Sequence, residues 1–265
     1  MSAGAAERYD SDYLLKSLPA DGSVGLRNIT NTRGTFVLAG PKSREVLAQL
    51  TDTPLENESF PWLTAQVIEA GLAVDVYALR VNFVGSLGWE LHFPVEYAHH
   101  LFEALFEAGK AYGIGMVGMR AMESLRMEKS YRMWGSDMTP DYTPFETSLD
   151  RFVRMKKGDF IGREALEKQL ANGVPNRFVT LEVHGVTDAD PLGNEPLFDK
   201  AGRMVGRATS GYYGHFVGKS LAIGYVKTEF AQLGTELLIE ILGERKAATV
   251  IPESPYDPEN AALRS

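Results

Sequence analysis

The chain has no cysteine. Disulfides, thiolate metal centres and cysteine nucleophiles are therefore excluded, and a reducing compartment such as the cytoplasm is expected. No apolar run approaches the roughly 20 residues of a bilayer span. The opening Met-Ser-Ala-Gly-Ala-Ala-Glu-Arg lacks an apolar signal core, so no membrane association is expected. Basic charge is also scarce: 27 Lys and Arg against 35 Asp and Glu leave a net charge of −8. That balance argues against a general nucleic-acid binder. His92, His99, His100 and His184 stand at no metal spacing supported by carboxylates, so no metal is expected. No N-terminal dinucleotide-binding domain carrying a Gly-x-Gly-x-x-Gly fingerprint is expected. The Gly40-Pro41-Lys42-Ser43 phrase lacks the ending of a phosphate loop and reads as a strand–turn–helix joint.

What is present is ordinary globular material. The chain is 44% hydrophobic and 23% charged over 265 residues, enough for one large core or two smaller ones. Local pattern suggests a helix near Tyr13–Leu18, strands at 24–29 and 35–39, and a helix over 44–50 with Val46, Leu47 and Leu50 on one side. A further helix after Pro94 carries the apolar stripe Leu101, Phe102, Leu105 and Phe106. In the helix after Gly118, Met119, Met122 and Leu125 recur every third residue and are expected to face a core. From about Arg177 short strand-like runs follow at 178–183, 196–198, 204–208, 221–226, 237–241 and 247–251. Regular short strands separated by turns indicate a small antiparallel barrel or sandwich. The expected architecture is α+β over residues 1–175 with mixed or antiparallel sheets, followed by a C-terminal barrel domain over 176–265.

The stretch Tyr77 to Phe93 is the most informative. Tyr77, Leu79, Val81 and Phe83 alternate with Ala78, Arg80 and Asn82; Trp89, Leu91 and Phe93 alternate with Glu90 and His92. This is hairpin periodicity around a glycine-rich reversal at Gly85 and Gly88. Glu90 lies beside the turn, on the opposite face from Trp89. A carboxylate there can accept two parallel N–H bonds from a planar heterocycle with an amidine or guanidine edge, as in pterins and guanines. Trp134 and Tyr142 sit in an aromatic, proline-containing segment suited either to lining a flat ligand or to plugging a core. Arg120 stands in the first turn of its helix, placed either for an anionic ligand or for a surface pair with Glu123. Arg126 and Glu128 read as structural. Arg151, Arg154, Lys156 and Lys157 form the densest basic cluster, a solvated loop or a landing patch for a polyanionic tail. His215 has a glycine-rich setting but no visible partner.

Val81-Asn82-Phe83-Val84-Gly85-Ser86-Leu87-Gly88-Trp89-Glu90 resembles the Tyr-Thr-Gly-Glu-x-Gly-aromatic-Glu segment of the glycine-cleavage T-protein (aminomethyltransferase) family. Ala121–Glu128, Lys157–Gly162 and Thr209–Val226 resemble further segments of that family. Tyr131-Arg132-Met133-Trp134-Gly135-Ser136-Asp137 resembles the folate domain of dimethylglycine and sarcosine dehydrogenases in particular. The resemblance implies that Glu90 binds the pterin of tetrahydrofolate, with Phe83, Trp134, Tyr142 and Arg120 nearby. The chain departs from the family at Phe83 (Tyr), Ser86 (Glu) and Met122 (Arg). The family's Gly-Gly-Ile-x-Asp-Asp stretch, with its catalytic Asp, is not found, so no catalytic residue is assigned. The resemblance thus implies a tetrahydrofolate-binding subunit in oxidative demethylation of an N-methyl amine, giving 5,10-methylenetetrahydrofolate. FAD would sit only on a partner, a flavin-containing dehydrogenase or oxidase chain that also supplies the missing part. The alternatives are a non-catalytic assembly subunit of a flavoprotein complex and a folate-dependent S- or O-demethylase.

Overall fold

The computed structural model describes residues 6–265, which form two compact units. The first holds everything described up to Asn82, with Ser86–Gly115 and Leu263–Ser265; the second holds Phe83–Gly85 and Met116–Ala262. Among the described residues no helix is long and apolar enough to cross a membrane.

The first unit opens with α1 (Glu7–Lys16), which buries no residue. The strand expected at 24–29 does not form: that stretch is irregular and exposed. Its apolar side chains Val24, Leu26 and Ile29 find no sheet to complete, and an isolated extended segment leaves its backbone to water. Next come β1 (Arg33–Ala39), α2 (Ser43–Leu47), β2 (Ala65–Ala70), β3 (Ala73–Leu79), β4 (Gly88–Pro94) and α3 (Ala98–Gly109). The four strands form an antiparallel sheet in the order β1-β4-β3-β2. Strand β4 alternates as expected: Trp89, Leu91 and Phe93 are fully buried, while Glu90 and His92 lie on the other face and are only partly covered. Helix α2 is shorter than expected, though Val46 and Leu47 are buried. Helix α3 buries Leu101 and Leu105 and leaves Phe102 exposed.

The hairpin differs from its sequence pattern in two ways. Strand β3 ends at Leu79, so Val81 and Phe83 are not part of it. Its faces are also reversed: Val76 and Ala78 are buried and Tyr77 is exposed. Ala78 pairs with Leu91, and Tyr77 with His92. Opposed residues share a face, so the bulky inward residues of β4 decide which side of β3 looks inward. Arg80, beyond the strand, is 1% exposed. Its Nη1 donates to the Phe60 carbonyl at 2.6 Å and its Nη2 to the Ser265 carbonyl at 2.9 Å.

The second unit contains α4 (Met119–Glu128), α5 (Arg163–Asn172) and six barrel strands: β5 (Asn176–Val183), β6 (Pro196–Phe198), β7 (Met204–Gly214), β8 (Lys219–Lys227), β9 (Glu236–Ile241) and β10 (Glu244–Ile251). They close in the order β10-β5-β8-β7-β6-β9, with all six neighbouring pairs antiparallel. Leu181, Leu197, Ala222, Val226 and Ile239 belong to its core. The expected methionine stripe of α4 is overturned. Met119 is 69% exposed, and the buried residues are Ser124, Arg126, Met127 and Glu128. The cause is polar: Ser124 donates to the Tyr213 carbonyl at 2.6 Å, and Glu128 accepts the backbone N–H groups of Phe216 and Val217 at 2.6 and 3.1 Å.

At Gly224 the strands β7 and β8 approach so closely that an added Cβ would lie 2.2 Å from the Arg207 carbonyl oxygen and 2.6 Å from the Ala208 Cα. Neither backbone atom can swing aside as a side chain would. Gly224→Ala is expected to lower stability by about 2–3 kcal/mol, the cost of overpacking, read as a shift of the urea midpoint.

Candidate functional site

Glu90 and His92 stand on the outer face of the first unit's sheet. Val37 and Leu79 flank Glu90 on β1 and β3; Thr35 and Tyr77 flank His92 in the same way. Val37 and Tyr77 are exposed, so the two polar side chains sit in an apolar and aromatic frame. Glu90 Oε2 lies 3.3 Å from His92 Nε2, and His92 Nδ1 lies 3.0 Å from Thr35 Oγ1. Their side chains are 28% and 16% exposed. At the end of this face Arg33 pairs with Asp75, its guanidinium 4.9 Å over the Tyr77 ring. A partly desolvated carboxylate framed in this way is suited to two parallel N–H donors on a flat ligand.

The other four candidates belong to the second unit. Phe83 stacks on Tyr131, ring centroids 5.7 Å apart at 27°. Burial, with Asp257 adding to it, holds the Tyr131 hydroxyl above the usual phenol range. Tyr131 thus stands a hydroxyl-bearing ring against Phe83, a feature no local pattern in the sequence signals. Trp134 is 52% exposed in a loop closed by a bridge to Met138. Tyr142 lies flat on Tyr225, centroids 3.5 Å apart at 4°, so one face of its ring is taken up by packing. Burial pushes the Tyr225 hydroxyl upward, and that hydroxyl donates to the Asp137 carbonyl at 2.7 Å. Arg120 is exposed. The surface pair considered for it does not form, because Glu123 accepts from Arg126 Nε at 2.5 Å. Arg151, Arg154, Lys156 and Lys157 are all exposed, and so is His215, which packs against Tyr213.

Below these residues lies a buried polar hub. Asp137 is fully buried. Its Oδ2 accepts from Arg126 Nη1 at 2.7 Å and from the Met133 N–H at 2.8 Å. Its Oδ1 accepts from the hydroxyls of Thr209 and Ser210 at 2.6 and 2.7 Å. Arg126 in turn donates to the Tyr131 carbonyl and to Ser210 Oγ at 2.9 and 2.8 Å. Lys129 is buried as well, its Nζ donating to the carbonyls of Tyr256 and Asp257 at 3.1 and 2.6 Å. Burial lowers its ammonium below the usual lysine range.

A four-stranded α+β unit and a closed six-stranded antiparallel barrel on one chain define an aminomethyltransferase-like architecture. The chain belongs to the glycine-cleavage T-protein family: residues 1–157 match the GCVT N-terminal domain and residues 176–257 the glycine cleavage T-protein C-terminal barrel domain. It is 36% identical over 255 residues to the mitochondrial dimethylglycine dehydrogenase of Rattus norvegicus, covering 96% of this chain and 29% of that protein. It is 31% identical to the aminomethyltransferase of Desulfitobacterium hafniense (strain DSM 10664 / DCB-2), covering 95% of this chain and 67% of that one. The crystal structure of glycine cleavage system aminomethyltransferase T from Bartonella henselae superposes with a TM-score of 0.80 at 27% identity, over 96% of this chain and 67% of that one. The chain therefore spans less than a third of the dehydrogenase it resembles, and about two thirds of the aminomethyltransferases.

Proposed function

We propose that this chain is the tetrahydrofolate-binding part of an oxidative demethylation system for an N-methyl amine of the dimethylglycine or sarcosine type. The observation that carries this reading is Glu90, a partly covered carboxylate on an open sheet face between Val37 and Leu79. Its two oxygens match the donor edge of a reduced pterin, and the apolar frame suits a flat ring. Bound tetrahydrofolate supplies two nitrogens that take up a one-carbon unit. This chain's contribution is orientation and partial desolvation of that ligand. Phe83, Trp134, Tyr142 and Arg120 are the further binding residues of the proposal, which treats residues 1–175 as the folate domain. FAD and the acidic catalytic group would be supplied by a flavin-containing partner chain or a further part of the protein. The likeness to dimethylglycine dehydrogenase supports the N-methyl class over S- and O-methyl donors.

Anaerobic titration calorimetry with (6S)-tetrahydrofolate tests the reading, on the chain alone and with a flavoprotein partner. Saturable one-to-one binding with a Kd on the order of micromolar, within the span of typical enzyme–substrate affinities, is expected. Absence of heat in both settings would overturn it.

A further inference from the structure

We infer that His92 is a positioning residue for Glu90, holding one carboxylate oxygen so that the carboxylate plane is set before a ligand arrives. This rests on the reading of Glu90 as the ligand's acceptor. Two residues apart on β4, the side chains share a face. The imidazole bridges Glu90 Oε2 at 3.3 Å and Thr35 Oγ1 at 3.0 Å. The Thr35 hydroxyl can donate to Nδ1, which leaves the ring hydrogen on Nε2, facing the carboxylate. Thr35 and Tyr77 sit directly opposite His92 on the neighbouring strands, and the Thr35 hydroxyl holds the ring from one side. Of the other charged groups on this face, Arg33 and Asp75 pair with each other, and Glu69 stands exposed on β2.

A glutamate has three rotatable bonds, and ordering them on binding weakens affinity. A neighbour that orders them beforehand removes that loss. The 3.3 Å separation is at the long end of hydrogen bonding, so the contact steers the carboxylate without competing strongly for it. The Glu-x-His spacing was visible in the sequence; the threonine was not, because it lies on another strand.

The test titrates (6S)-tetrahydrofolate anaerobically into wild type, H92L, H92Q, E90Q and H92L/E90Q, with thermal midpoints as the check on folding. H92L is expected to weaken binding about fivefold, within the usual cost of ordering one rotamer-rich side chain on binding. H92Q, whose amide N–H can reach the same oxygen, recovers most of the loss. H92L has no further effect once Glu90 is Gln. Should H92L fail to fold, T35V takes its place: it weakens binding in the wild-type background and not with E90Q. Wild-type affinity in H92L, no recovery in H92Q, or an equal loss in both backgrounds overturns the inference, while the loss in E90Q leaves the role of Glu90 standing. Undiminished binding by E90Q overturns both.

Discussion

Glu90→Gln is expected to weaken tetrahydrofolate binding about a hundredfold or more while leaving the thermal midpoint nearly unchanged. An ionised carboxylate can accept both N–H groups of an amidine-like edge, and bonds to a charged group contribute about 1.5–3 kcal/mol each. The amide keeps one acceptor and turns an NH2 toward the second donor, so one bond is lost and a repulsive contact replaces it. A loss of about 2.7 kcal/mol corresponds to the hundredfold. Stability is affected little because Glu90 points away from the core formed by Trp89, Leu91 and Phe93. Its contact with His92 is a partly exposed pair, worth at most about 1 kcal/mol. Calorimetry and a melting curve on the same sample separate the two effects. Unchanged affinity would remove Glu90 from the site.

Asp137→Ala is expected to destabilise the second unit by about 3–5 kcal/mol, the typical result of breaking a buried ion pair by removing one partner. Asp137 and Arg126 are 0% and 2% exposed in their side chains. Without the carboxylate, the Arg126 guanidinium keeps Glu123 but loses its fully buried counter-charge. The Thr209 hydroxyl and the Met133 N–H lose acceptors they reach at 2.6 and 2.8 Å. Thr209 and Ser210 lie on β7 and Arg126 on α4, so the defect falls where helix and barrel join. Urea unfolding followed by far-UV circular dichroism measures the loss. A triple replacement, Glu123→Gln with Arg126→Met and Asp137→Leu, should recover part of it, because the apolar pair then leaves no isolated charge. A midpoint for Asp137→Ala equal to wild type would show that the hub does not hold the unit together.

The barrel was the most legible part of the fold. Five of its six strands coincide with expected runs to within about three residues at either end, because short β-rich runs punctuated by glycine turns carry their signal locally. The exception is β7, which continues through Thr209–Gly214, a stretch that opens on Thr209-Ser210-Gly211 and so reads as a turn. Ser210 is kept buried there by Asp137 and Arg126, partners 73 and 84 positions away in sequence. The inward face of β4 was equally legible in Trp89, Leu91 and Phe93. The face of β3 was not, since its tyrosine and leucine positions look as apolar as its valine and alanine positions. Pairing with β4 settles the matter. In α4 a helical period was visible, but periodicity counts apolar residues and has no means of recognising an arginine that goes inside to meet an aspartate.

From the sequence alone come the exclusion of thiol chemistry, the barrel, the family, and Glu90 on the side of its strand away from Trp89. These depend on composition and on order over a few residues, which the chain carries at every point. The inward face of β3, the burial of Arg126 and the hydrogen-bonded chain from Thr35 through His92 to Glu90 were decided only by tertiary structure. Each requires two segments far apart in the chain to meet at one register, and the energy that selects the register is shared between them.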